Sequence, residues 1–159
     1  MRLAGRFNIT SRKCDEILTF DMLKGKTAVI FYETKDTAEK NRALKDRLNT
    51  FYDLMPSYAQ NKVVRIVIIR CSAFMPTIWR RNLRENSKKE SITIYGDWDG
   101  LMEKNYAMRP DDSNLIVIDS FGVIRYAASG IVPAEGFDAV KKIIEENSRN
   151  MVAIAKSLS

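Results

Sequence analysis

The 159-residue chain has no histidine and only two cysteines, Cys14 and Cys71. Without imidazole there is no Ser-His-Asp or Cys-His nucleophile, no His-ligated zinc, no haem on a proximal His and no imidazole acid or base. Two thiols cannot build a Cys₄ zinc or iron–sulfur site within one chain, and they allow at most one disulfide. No metal or cofactor is expected. No stretch reaches the ~18 apolar residues of a membrane span. The opening Met1-Arg2-Leu3-Ala4-Gly5-Arg6 is basic but has no apolar run behind it, so it does not read as a signal peptide. Internal repeats and low-complexity segments are absent as well.

What is present is ordinary for a globular domain: 45% apolar and 29% charged residues. A chain of this length buries roughly 70% of its unfolded surface, enough for a core without disulfide or metal. We expect one domain over 1–159, with a core of about 15–146 and fraying ends at 1–6 and 148–159. The net charge of +6 raises the prior on anionic partners. Its densest group, Arg80, Arg81, Arg84, Lys88 and Lys89, is either a solvated helix face or an anion-binding face.

Along the chain, Phe7 to Leu23 alternate loosely around a polar turn at 11–15, a β-hairpin pattern. Thr27-Ala28-Val29-Ile30-Phe31-Tyr32 is a short apolar run of β-formers and reads as a buried strand. Asp36 and Glu39 have capping-box spacing, which predicts a helix from Asp36 with Leu44, Leu48, Phe51 and Met55 on one face and Pro56 ending it. Val63 to Ile69 is a second buried strand. Pro76 opens another helix, carrying Ile78, Trp79 and Leu83. Ile92 to Tyr95 is a third strand, and Asp97-Trp98-Asp99-Gly100 turns into a brief helix holding Leu101, Met102 and Tyr106. Leu115 to Tyr126 is a hairpin, and a last helix starts near Pro133 and reaches about Met151. Strands alternating with helices give an α/β class.

This order resembles the thioredoxin-like superfamily, its peroxiredoxin and TlpA-like members in particular. The likeness is carried by Gly25-Lys26 before the first apolar strand and by Leu115-Ile116-Val117-Ile118-Asp119-Ser120-Phe121-Gly122-Val123-Ile124. A narrower likeness is to the YtfJ-type family of small bacterial proteins. Its carriers are Glu39-Lys40-Asn41, Arg84 to Lys89, Asp111 to Asn114, and Gly130 to Glu135. The resemblance implies a central mixed β-sheet flanked by helices, here with an N-terminal β-hairpin. It implies a site at the start of the first long helix, where thioredoxins use backbone N–H groups and the helix dipole to stabilise a thiolate. Asp36 and Glu39 stand where those enzymes carry their two thiols, and Ser113 falls where they carry a cis-proline. The YtfJ-type likeness implies a periplasmic protein, whereas the lack of a signal sequence leaves the cytoplasm as the alternative.

Cys71 remains as a candidate thiol. It follows a strand that should pair with the central one, and parallel sheets carry their sites at strand C-termini. Arg70 beside it favours a thiolate if the two touch, but neighbouring strand residues face opposite sides. An inert core thiol, a disulfide with Cys14 and a reactive thiol all stay open. Asp97 and Asp99 open like a calcium loop but lack its third acid and its closing Glu. Trp79, Trp98, Phe51 and Tyr52 sit where core packing explains them better than base stacking. Lys24-Gly25-Lys26 is a turn, since the first glycine of a phosphate loop is missing.

Three functions are therefore carried forward. The first is a redox-inactive thioredoxin-like binding or accessory module whose partner is another protein. The second is a thiol oxidoreductase or peroxidase using Cys71, with or without Cys14. The third is an electrostatic binder of nucleic acid or another anionic surface through residues 80–89, with nucleic acid the weaker case because nothing reads as a DNA-reading helix.

Overall fold

The computed structural model describes residues 8–13, 16–72 and 74–157. An antiparallel pair, β1 (Asn8–Lys13) and β2 (Glu16–Thr19), leads into a 3-10 turn at Phe20–Leu23. Then come β3 (Thr27–Glu33), α1 (Arg42–Asp53), the single turn α2 (Ser57–Gln60), β4 (Val63–Arg70), α3 (Pro76–Glu90) and β5 (Thr93–Asp97). The chain finishes with α4 (Leu101–Tyr106), the hairpin β6 (Asn114–Ile118) and β7 (Ile124–Ser129), and α5 (Ala134–Ser157).

The strands form one seven-stranded mixed sheet in the order β2-β1-β5-β4-β3-β6-β7. β3, β4 and β5 are parallel, and β6 and β7 close the other side antiparallel. Two crossovers step in the same direction, from β3 through α1 to β4 and from β4 through α3 to β5. Right-handed crossovers then put α1 and α3 on the same face. Leu44 and Leu48 of α1, Leu83 of α3, and Val140 and Ile144 of α5 pack there over Val29, Phe31 and Val67. The opposite face holds Ala28, Ile30, Tyr32, Ile66 and Ile68 under Leu18, Leu23, Met102 and Met108. Every residue of β3 is buried, which is why the run Thr27 to Tyr32 is apolar without alternation.

Most predicted elements appear within a residue or two, and four expectations are corrected. β1 keeps Ser11, Arg12 and Lys13 as strand, so the turn is shorter than the expected 11–15. α1 starts at Arg42 rather than after Asp36. Pro56 does not merely end a helix; it stands at the N-cap of α2. The last helix, expected to reach about Met151, continues to Ser157. On α3, Ile78 is 45% exposed, while Trp79 on its neighbouring face is half-buried.

Candidate functional site

The site expected from the resemblance lies where β3 ends. Period-2 alternation sends Glu33 to the helix-covered face beside Val29 and Phe31, and its side chain is wholly buried. An isolated carboxylate there would be prohibitively costly. Lys45, reaching back from the first turn of α1, donates to Glu33 Oε2 at 2.7 Å and to the Ala38 carbonyl at 2.8 Å. Ser113 Oγ donates to Glu33 Oε1 at 2.8 Å. Burial pushes the Glu33 carboxyl above its usual range, opposed by the Lys45 charge and by the hydrogen bonds from Lys45 and Ser113.

Asn41, also buried, extends the cluster. Its Nδ2 donates to Ser113 Oγ and to the Gly130 carbonyl, each at 2.8 Å, and its Oδ1 accepts from Val132 N at 2.9 Å. Outside it, Lys40 pairs with Asp112 at 2.8 Å, and Thr37 Oγ1 donates to the Asp112 carbonyl at 3.3 Å. That pairing holds the Asp112 carboxyl below its usual range. The network ties together the end of β3, the turn over 34–41, the approach to β6 and the link from β7 to α5.

Asp36 and Glu39 are both exposed on that turn, one helical turn or more ahead of α1. Neither caps α1, and the helix has no side-chain cap at Asn41. Thr34 and Thr37 explain the delay. Thr34 N donates to Thr37 Oγ1 at 2.9 Å and Thr37 N to Thr34 Oγ1 at 3.2 Å, a local arrangement that competes with helix formation. Glu39 instead pairs with Arg42, whose hydrogen bond holds its carboxyl below the usual range. Ser113, expected from the resemblance where those enzymes carry a cis-proline, is fully buried, and no described peptide bond is cis.

Cys71 emerges at the neighbouring strand end and is 1% exposed. Its thiol donates to the Ile69 carbonyl at 3.3 Å. Burial pushes it up to about 12; the Asp97 charge adds to this and Arg70 opposes it. Arg70 points to the other side, as alternation requires: its Nη1 donates to the carbonyls of Cys71, Asp97 and Trp98, and its Nε faces Glu103 at 3.6 Å. Gly96 lies flush against the thiol, since a Cβ there would stand 2.9 Å from Cys71 Sγ and 3.0 Å from Leu83 and from Trp98 Nε1. Trp98 Nε1 is buried without a hydrogen-bond partner among the described residues. Cys14 lies outside the described residues, and with it the alternative of a Cys14–Cys71 disulfide.

Asp97 caps the start of α4. Its carboxylate accepts from Leu101 N at 3.1 Å, Met102 N at 3.2 Å and Tyr32 OH at 3.0 Å, fixing the start of α4. Among the described residues, no three His, Cys, Asp or Glu side chains gather as a metal site would need. Arg80, Arg81, Arg84, Lys88 and Lys89 are all exposed along α3. Arg80, Arg81, Lys88 and Lys89 make no ion pair with a described residue. They do not join the buried cluster. No described helix is long and apolar enough to cross a membrane.

Glu33 and Lys45 were not among the residues singled out from sequence, and Asn41 entered only as a carrier of the YtfJ-type likeness. The available signal was an acid closing an apolar run, with a lysine twelve residues later on the same helix face as Leu44 and Leu48.

No protein-family model and no curated protein matches the sequence. Solved structures do. A thiol-disulfide isomerase from Corynebacterium glutamicum superposes with a TM-score of 0.65 at 15% identity, covering 89% of this chain and 97% of that one. A secreted Mycobacterium tuberculosis disulfide oxidoreductase gives 0.58 at 14% identity, covering 88% and 95%. The exposed lipoprotein thioredoxin of Streptococcus pneumoniae gives 0.58 at 13% identity, covering 89% and 99%. The structural neighbours are thioredoxin-like proteins, and the central mixed sheet flanked by helices is the thioredoxin-like fold.

Proposed function

We propose that this thioredoxin-like domain is a binding or accessory module that carries out no dithiol exchange and works on another protein. One observation supports it most. The turn over 34–41 has acids at the two expected thiol positions, and the space behind it is filled by the Glu33–Lys45–Ser113–Asn41 network. A reactive thiolate needs a nearby cation or a free helix terminus. Here Lys45 is committed to Glu33, and Arg42, the first residue of α1, to Glu39 and Glu90. The YtfJ-type likeness belongs to the same reading, and with it the periplasm as the compartment.

Insulin reduction by dithiothreitol tests this. The purified chain should not raise the rate above a no-protein control. Turnover lost in Cys71→Ser or Cys14→Ser would overturn the proposal.

The names of the structural neighbours favour a second reading, a thiol oxidoreductase or peroxidase acting through Cys71. The burial and raised pKa of that thiol weigh against it. The exposed basic row on α3 keeps the anionic-surface reading as a third, tested by salt-dependent binding to mixed-sequence DNA.

A further inference from the structure

A cavity of about 270 Å³ lies between α1 and α3, floored by the helix-facing residues of β3, β4 and β5. It sits near the lower bound of ligand pockets, roughly 300 Å³. Its physical origin is the spread of the two helices. α1 leans toward α5, where Phe51 meets Phe137 edge-on with centroids 6.4 Å apart and Arg47 stacks on Phe137. α3 sits over β5, anchored by Leu83 beside Ile94 in the core. Between them β4 is incompletely covered, and Arg65 and Ile69 are only half-buried. The Arg42–Glu90 ion pair at 3.2 Å spans the gap.

The floor is apolar, with Val29, Val67 and Ile94, and Trp79 stands in the wall. Arg65 closes one end. Its Nη1 donates to Asn49 Oδ1 at 2.6 Å, and its guanidinium lies 3.8 Å from the Tyr52 ring centroid. No described carboxylate lies within ion-pair distance of it. The other cations facing the cavity differ: Lys45 is held by Glu33 and Arg42 by two glutamates, while Lys35 stands exposed at the rim, as does the carboxylate of Asp46. The cavity thus offers one preorganised guanidinium without a carboxylate partner at the end of an apolar slot. From Arg65 to Ile69 the slot runs about 13 Å by strand rise. A single fork-shaped cation suits a carboxylate, and a narrow apolar slot of this length suits a linear chain.

We propose that the α1–α3 groove binds a medium-chain linear carboxylic acid, with the carboxylate on Arg65 and the chain along Val67, Val29 and Ile94. The site does not depend on either cysteine, so it stands or falls apart from the thiol question.

Titration calorimetry on the full chain with decanoate, below its micellar concentration, tests it. Decanoate should bind saturably at one site, and shorter acids should weaken by about fourfold per methylene removed. Decanol and decylamine should each bind at least ~10-fold more weakly. Arg65→Gln should cost decanoate about tenfold while leaving decanol unchanged, and Asn82→Trp, filling the mouth, should abolish both. Urea midpoints near wild type confirm that each variant is folded. Should Arg65→Gln unfold the chain, the decanoate-to-decanol ratio on the wild type and the Asn82→Trp result decide alone. Equal binding of acid, alcohol and amine overturns the proposal. So does decanoate binding untouched by Arg65→Gln, or no saturable binding by the folded wild type.

Discussion

β3 and β4 end side by side, Glu33 paired with Ile69 across the parallel ladder, yet the two ends bury their ionisable groups in opposite ways. At the end of β3 a carboxylate is enclosed with a lysine, a serine and an asparagine, and each carboxylate oxygen accepts a hydrogen bond. At the end of β4 a thiol is enclosed against Gly96 and Leu83, with one weak bond to a carbonyl and its neighbouring arginine turned away. Burial raises both pKa values. What separates them is compensation: Glu33 has a cation built for it, and Cys71 has none. A buried ion pair holds segments in register but is brittle when one partner is removed. A buried thiol without a partner is packing.

Removing the compensation at β3 should have the largest effect. Lys45→Met leaves Glu33 buried and unpaired and should cost about 3–5 kcal/mol at neutral pH. Glu33 has a folded pKa above its ordinary 4.5, so stability falls as pH rises from that value through the folded one. Losing Lys45 lifts the folded value further and widens that window. The cost of the substitution should therefore shrink toward pH 4.5, as measured by urea unfolding across pH. A pH-independent cost would mean that Glu33 is not charged in the native state.

Asn41→Ala should come next, at about 2–3 kcal/mol, because it orphans the Gly130 carbonyl and the Val132 N–H in a buried setting. A loss below 1 kcal/mol would mean those groups find other partners. On the β4 side, Gly96→Ala should cost about 1–2 kcal/mol by crowding the thiol. Adding Cys71→Ala should recover part of it, a coupling that a double-mutant cycle detects. Additive losses would show that Leu83 and Trp98, not the thiol, take the strain. Asp36→Ala should be the smallest, leaving the urea midpoint unchanged, because Asp36 is exposed on the turn and caps nothing.

That last expectation marks where the sequence misled. The Asp36-to-Glu39 spacing is a genuine capping pattern, but Thr34 and Thr37 lock the intervening backbone into a turn first. Helix onset was decided by a local competitor that the spacing rule does not weigh. The strands were legible because β3 is covered on both faces and so reads as an unbroken apolar run, and β4, less completely covered, is interrupted only at Arg65. The helix faces were legible where a single stripe meets the sheet, as at Leu44 and Leu48. The start of α3 offers no such stripe, because there one step along the helix separates half-buried Trp79 from exposed Ile78. The buried cluster itself was invisible: Glu33 meets Ser113 across 80 residues, and an acid after an apolar run reads as the start of a loop. The fold depends on patterns within elements, whereas the site depends on pairings between them.

The difference between the two strand ends is tested most directly by the alkylation rate of Cys71 as a function of pH. In a Cys14→Ser background, iodoacetamide should modify Cys71 far more slowly than a model thiol, with a rate still rising above pH 9, as a thiol pushed up to about 12 requires. Fast modification that levels off below pH 7 and disappears in Cys71→Ser would contradict it.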